Sequence, residues 1–376
     1  MNNKLLLKFN LNLIVFIGLI FLTTNICISQ ITLKKIGELK VNSLDPVKII
    51  DFDSNSKKYL GYKNSSELIV IIIDSEGNIV SEKNLKGEGP SQFTSEISSM
   101  GFSDSGQILI QTPNELLTYD LNLEFKDRVK YGSTNPFTIY SPTNILYFKK
   151  NSDAYFVTHP TGFSWSISIN DFSKSNLLEI YNVATKNSFE ILKVSDRSIF
   201  NKLDNSLGQS YYPIFSYDNF NKNILFTSSF DNEISVIDVD NFKIKSTIQV
   251  NHGSFDLLDD AKITSSDLES VNRKGIYSTN LRLLKTEDYV VLEYLTEIPE
   301  HIFRAKLEES KSYKHYMDGE YHKLIFFHEG NQISRDISLP KFGKLTAVLP
   351  GNKVLFRIEN PDIEEDFILF HIYQIN

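Results

Sequence analysis

Cysteine is almost missing from this sequence. Of 376 residues only Cys27 is a cysteine, and it lies close behind an N-terminal apolar run. A chain cleaved beyond it has no disulfide, no cysteine-based metal site and no thiol nucleophile. Export without disulfides suits a bacterial envelope better than a small eukaryotic secreted module, which would need staples. Basic clusters are missing too: 47 acidic residues outnumber 39 lysines and arginines, and the formal net charge is −8. That balance argues against nucleic acid and against an anionic membrane surface as partners. Helical spacing is scarce, being confined to Ser265–Gly275 and Ile298–Ser310, both placed as insertions in loops.

The first thirty residues carry an address. Lys4 and Lys8 precede an apolar stretch from Leu11 to Leu22, too short to cross a bilayer as a mature helix, and small and polar residues follow from Thr23. This pattern predicts a signal peptide over residues 1–29. Ordinary cleavage reads Cys27 and Ser29 as the small residues before the cut and leaves Gln30 as the new terminus. The second route is lipoprotein processing, with cleavage before Cys27 and acylation of its thiol. That signal wants Leu at −3 and Gly, Ala or Ser at −1, where Thr24 and Ile26 stand, so ordinary secretion is preferred. The expected location is the periplasm or the cell surface, associated with the outer membrane, of a Gram-negative bacterium. Membrane contact would come only through a lipid on Cys27. Removing 29 residues from 376 leaves 347, with the net charge moved from −8 to about −10. Residues 30–376 are expected to form one domain.

Aromatic and β-branched residues are plentiful, with 27 Phe and 18 Tyr. Strand-sized apolar runs recur, among them Val47–Asp53, Glu67–Asp74, Gln107–Thr112, Ile224–Phe230, Asp288–Leu295 and Phe367–Ile375, separated by Asn, Asp, Ser and Gly. Three segments, Lys57–Leu85, Ser105–Val129 and Asn221–Val250, share one plan. Each has a strand, a turn with Asn or Asp, a strand ending in Asp, and a tight turn into a polar outer strand. That order is the inside of a β-propeller blade, whose four antiparallel strands run outward from a central axis. The fold class predicted is all-β, a propeller with six blades of about 58 residues, or seven of about 50. A pair of β-sandwiches is the competitor, but it leaves the repeated unit unexplained.

The stretch "LKGEGPSQF" (Leu85–Phe93), with "IIIDSEGNIV" before it and "ISSMGFSDSGQILIQTPNELLTYDLN" after it, resembles the G-x-G-P-x-x-F link between blades. That link belongs to the six-bladed, TolB-like propellers of Bacteroidota envelope proteins. The good match spans Leu68–Lys130, and residues 170–210 depart from it. The resemblance implies the fold and an envelope location. It also implies that "FILFHIYQIN" completes the ring and that "ITLKKIGELK" pairs into the last blade as a clasp. It brings no single activity, since propellers host many.

Candidate sites compete with plainer roles. Gly87, Gly89 and Pro90 could offer backbone amides to an anion. Neither nucleotide-loop motif is present, so these three, with Phe93 as a plug between blades, read as a structural blade corner. "DFDSNS" (Asp51–Ser56) opens like a calcium loop but has Ser56 for the glycine and Tyr62 for the closing Glu; a solvated turn is preferred. "PDIEED" (Pro361–Asp366) reads as a solvated hairpin tip. Seven histidines show no ligand spacing, and "GFSWS" (Gly162–Ser166) falls short of a nucleophile elbow. No catalytic or metal residue is assigned and no cofactor is expected, calcium being the one ion weighed. Phe163, Trp165, Tyr211 and Tyr212 are binding candidates that could stack on a sugar or peptide at a channel mouth, against the alternative of core packing. The reading is an exported, non-catalytic, monomeric propeller that binds a protein, peptide or glycan partner in the envelope. The alternative is a lyase or hydrolase acting on glycan or lactone at the channel mouth, which would gather several His or carboxylate groups around the axis.

Overall fold

Neighbouring residues of the isoleucine-rich run near position 70 serve different cores. Val70 and Ile72 pack with Met100, Ile108 and Leu117, whereas Ile71 and Ile73 pack with Val41, Leu355 and Phe370. Alternate side chains of a strand point to opposite faces, so a run that is apolar at every position marks a strand covered on both sides.

The structure is a computed structural model that describes residues 31–64, 67–132, 143–158, 175–197, 213–229, 231–255, 278–360, 362 and 366–376. The chain enters as β1 (Leu33–Val41). Blade 1 is β2 (Val47–Asp53), β3 (Lys58–Asn64), β4 (Leu68–Ile73) and β5 (Ile79–Lys83). Blade 2 is β6 (Ser99–Phe102), β7 (Ile108–Gln111), β8 (Glu115–Tyr119) and β9 (Phe125–Lys130), with β10 (Thr143–Asn144) parallel to β6. Blade 3 is β11 (Tyr147–Lys150), β12 (Asp153–Thr158), β13 (Asn176–Asn182) and β14 (Asn187–Lys193). Blade 4 is β15 (Pro213–Asp218), β16 (Asn223–Ser228), β17 (Glu233–Asp238) and β18 (Lys243–Gln249). Blade 5 is β19 (Thr279–Lys285), β20 (Tyr289–Leu295), the inserted helix α1 (Glu300–Glu309), β21 (His322–His328) and two short outer pieces, β22 (Asn331–Gln332) and β23 (Ile337–Ser338). Blade 6 is β24 (Gly343–Leu349), β25 (Lys353–Ile358) and β26 (Ile368–Ile375), with β1 as its fourth strand.

Six antiparallel sheets make the chain a six-bladed β-propeller, and the seven-bladed option falls away. Six buried clusters close the ring, one between each pair of adjacent blades, including blades 6 and 1. The clasp is real. β1 pairs antiparallel with β26 from Leu33 opposite Ile375 to Val41 opposite Ile368, and Thr32 and Asn376 exchange backbone hydrogen bonds of 3.1 Å. A ring fastened this way joins the first described residues to the last and leaves β26 no free edge.

The strand-ending aspartates act as turn formers. Asp74 Oδ1 accepts from the amides of Glu76 and Asn78, each at 2.9 Å, while Gly77 sits at φ +92°. An added Cβ there would lie 1.8 Å from the Lys40 carbonyl of the clasp, so this position requires glycine. Asp120 repeats the device at Asn122 and Glu124. One buried charge also fastens the ring: Arg197, from the link between blades 3 and 4, is fully buried against Asp231, Glu233 and Ser235 of blade 4. Its guanidinium stands 4.9 Å over the Phe226 ring. Of the two predicted helices, α1 forms within Ile298–Ser310; Ser265–Gly275 lies outside the described residues.

Candidate functional site

The inner strands of three consecutive blades each carry a cation in their first four residues. Lys48 is the second residue of β2, Arg282 the fourth of β19 and Lys344 the second of β24. Each of these strands also has an irregular register, between Ile49 and Asp51, Asn280 and Arg282, and Leu345 and Ala347. The pairings of β6, β11 and β15 with their partners run without such a shift. A bulge re-aims the side chains beside it, so blades 5, 6 and 1 differ from the others where the cations stand.

Second strands complete the cluster. Arg282 faces Glu293 of β20 and Lys344 faces Arg357 of β25 in register. Arg282 Nε donates to Glu293 Oε2 at 2.8 Å, and the other carboxylate oxygen lies 2.8 Å from His322 Nδ1. Glu359 takes Arg357 Nη1 at 3.2 Å and Lys344 Nζ on its second oxygen. The Nε of Arg357 is buried and meets no acceptor among the described residues. Among the described residues, Lys48, Arg282, Lys344 and Arg357 thus gather near Glu293 and Glu359 in a chain whose overall charge is negative.

Electrostatics follow from that count. Burial, then Arg282, Arg357 and Lys344, pushes the Lys48 ammonium down to about 7, and Glu293 offsets only part of this. Burial alone would raise Glu293, but the Arg282 guanidinium and His322 hold it below the usual carboxylate range. His322 Nε2 lies 3.0 Å from the Tyr316 carbonyl, so both ring nitrogens are engaged. The Glu293 and His322 pair therefore buttresses Arg282 and offers no free nitrogen as a base. Among the described residues no group of three or more His, Cys, Asp or Glu could hold a metal ion.

None of the described residues assigned to a site or a blade corner from sequence belongs to this cluster. Phe163, Trp165, Tyr211, Tyr212 and Cys27 are outside the described residues, as are the "GFSWS" stretch and most of "PDIEED". In "DFDSNS", Asp53 Oδ2 accepts from the Ser56 amide at 2.9 Å and hydroxyl at 2.6 Å, and Asp51 accepts from the amides of Phe52 and Phe102 at 2.9 and 2.8 Å. Those contacts use the carboxylates to close a turn and to tie blade 1 to blade 2. The Leu85–Phe93 stretch leads from β5 toward β6. Phe93 is 3% exposed in the core shared by blades 1 and 2, and its amide donates to the Leu85 carbonyl at 3.1 Å. Gly87 has φ +156°, Gly89 does not have positive φ, and a Cβ on either would meet the Gln92 side chain. Gly87, Gly89 and Gln92 also line a cleft of about 260 Å³ with Glu115, Arg128 and Tyr131. There Arg128 is taken up by Glu115 at 3.3 Å and by the Gln92 carbonyl.

Sequence reasoning missed the axial cluster because its members are lone cations in apolar strands, far apart in the chain. The available signal was a Lys or Arg inside an otherwise apolar run, as in "VKII", "LRLL" and "GKLT".

The molecule is thus a six-bladed β-propeller with a cationic sector at one end of its axis. No protein-family model matches the chain, and no curated protein matches its sequence. Two solved structures are similar to it. A member of the DUF4221 family from Bacteroides vulgatus is 12% identical, with 92% of this chain and 99% of that one covered at a TM-score of 0.63. A Bacteroides fragilis protein proposed to be exported is 11% identical, with 93% and 96% covered at a TM-score of 0.57. At such identity the likeness is one of fold. Neither is described as TolB-like.

Proposed function

We propose that the chain is an exported, non-catalytic propeller of the cell envelope that binds an anionic partner across the mouth formed by blades 5, 6 and 1. The observation that carries this reading is the convergence of Lys48, Arg282, Lys344 and Arg357 on one end of the axis, where Glu293 pairs with Arg282 and Glu359 with Lys344 and Arg357. Charges gathered against the sign of the whole molecule attract a ligand of opposite sign and steer its approach. Partners in the proposal are a protein, peptide or glycan bearing carboxylate, phosphate or sulfate. Export is supported by the Lys4, Lys8 and Leu11–Leu22 pattern and by the proposed export of the Bacteroides fragilis neighbour. A lyase or hydrolase reading receives less support, because His322 has both nitrogens engaged.

The test is binding of polyglutamate, polygalacturonate and polyphosphate, with dextran as the neutral control, to the chain and to its Lys344→Gln and Arg357→Met variants. At least one polyanion is expected to bind at low salt and to weaken on either substitution, with affinity falling as salt rises. Equal affinity for dextran, or variants that bind every polyanion as the parent does, would sink the reading. Radioactive fatty acid incorporated at Cys27 would replace ordinary secretion with a lipid anchor.

A further inference from the structure

Two histidines fasten the insertion between β20 and β21, residues 297–321, to its blade. Within that span only Ile298 and His315 are buried, so polar contacts carry most of the attachment. The base is closed by the Thr296 amide donating to the Tyr321 carbonyl at 2.8 Å. Asp318 takes Lys306 Nζ at 2.7 Å and the Tyr313 hydroxyl at 3.0 Å, bracing a turn that leaves Tyr316 56% and Met317 51% exposed. His315 Nε2 lies 2.8 Å from the Thr296 carbonyl, while its Nδ1 is buried and meets no partner among the described residues. Burial pushes His315 below the ordinary histidine value, against the pull of the Thr296 carbonyl and Asp318, so its neutral Nε2–H form fills this place. His322 is placed differently. Its Nδ1 is 2.8 Å from Glu293 Oε1 and its Nε2 is 3.0 Å from the Tyr316 carbonyl, so both nitrogens face oxygens.

A neutral imidazole has one N–H and one bare nitrogen. Neither oxygen can supply the missing proton. A carbonyl has none, and Glu293 is ionised, since Arg282 and His322 hold it below the usual carboxylate range although burial alone would raise it. Both contacts are hydrogen bonds only when His322 is an imidazolium. We infer that His322 is a proton-operated latch, which as an imidazolium ties the turn at Tyr316 to Glu293 and on losing its proton lets residues 297–321 open. The groups around it divide by sign. Glu293 of β20 stabilises the charge, while Arg282 of β19 and Lys48 of β2 act on the same carboxylate. His315, with Asp318 and Lys306 beside it, faces the latch from within the insertion. Because His315 is neutral when the latch is charged, the turn is spared two like charges. Histidine is the side chain whose ordinary titration falls between about pH 5 and 8, so a latch made of one responds to modest changes in acidity. The inference does not depend on what the mouth binds.

The experiment is hydrogen–deuterium exchange of the full chain from about pH 6.5, the ordinary histidine value, to about pH 9, corrected for the pH dependence of intrinsic exchange. It follows the amides of Thr296, Met317 and Asp318, each hydrogen-bonded at the insertion, with the Asn376 amide of the clasp as reference. An opening that releases one proton should speed exchange of the three by up to about tenfold per pH unit, and Asn376 should not follow. His322→Gln, whose amide keeps one donor group for two oxygens and does not titrate, should lose the response. Tyr316→Ala should keep it, because the backbone carbonyl makes the contact. If His322→Gln fails to fold, nitrogen NMR of the parent chain labelled at histidine supplies the readout: one histidine should hold protons on both nitrogens while the insertion is protected, and lose one as it opens. Protection that stays flat across the range, or no doubly protonated histidine while the insertion is protected, overturns the latch. So does exchange at Asn376 that rises in step with the insertion, since the whole ring would then be unfolding.

Discussion

Glu293 and Arg282 face each other across the first two strands of blade 5, with Arg282 Nε 2.8 Å from a carboxylate that is 1% exposed. A buried acid here fixes the direction of a cation that is itself 30% exposed. Removing one member of a buried pair leaves the other's desolvation uncompensated. Glu293→Ala should therefore destabilise the fold by about 2–4 kcal/mol, the lower part of the usual range because Arg282 reaches solvent. Glu293→Gln should cost less, about 1–3 kcal/mol. Urea unfolding at pH 7 measures both, and a Glu293→Ala chain as stable as the parent would refute the buttress.

Lys48 gives a pH signature. Its folded value of about 7 lies below the ordinary lysine value of 10.5, so the unfolded chain binds the proton more readily. Its contribution to stability is thus lost as pH falls from the unfolded value toward about 7. Lys48→Met should lack that slope, so the parent-minus-variant difference in stability should rise with pH from about 7 toward 10.5. An anion at the mouth favours the protonated amine, so its affinity should rise as pH drops from about 8 to about 6. A flat affinity profile in calorimetry would exclude Lys48 from the site.

Arg197 tests the ring without touching the mouth. It is wholly buried with Asp231 and Glu233, and burial raises the Asp231 carboxyl to about 6 even with the guanidinium beside it. Arg197→Ala strands two acids in the interior of blade 4. A loss of about 3–5 kcal/mol is expected, read as a lowered melting temperature. A change below about 1 kcal/mol would show that water replaces the guanidinium at little cost.

Phe93 separates architecture from binding. Phe93→Ala opens a cavity between blades 1 and 2 and should cost about 3–5 kcal/mol. Anion affinity at the axial mouth should stay within about twofold, since the two regions share no partners. An altered affinity with an unchanged melting temperature would mark the Leu85–Phe93 corner as a site.

The blades were legible because their central strands are buried on both faces. All six apolar runs named from sequence coincide with strands, from Val47–Asp53, matched to the residue, to Phe367–Ile375, which overlaps β26. The clasp followed from resemblance, and β26 receives it as expected. Inner strands were harder. β19 and β24 went unread, with Arg282 and Lys344 interrupting their apolar pattern, whereas β2 was read despite Lys48 because the residues after it are apolar. Tyr316 gave no signal either, since exposure on a braced turn is invisible in a run of mixed polarity.

By itself the sequence determined that this is an all-β chain of repeated hairpins, because alternation, turn chemistry and hydrophobic runs are local properties of the chain. Tertiary structure alone decided that there are six blades and that Lys48, Arg282, Lys344 and Arg357 meet. The physical reason is closure: residues about 50 to 300 positions apart become neighbours only when the last blade packs on the first, and no local pattern records that distance.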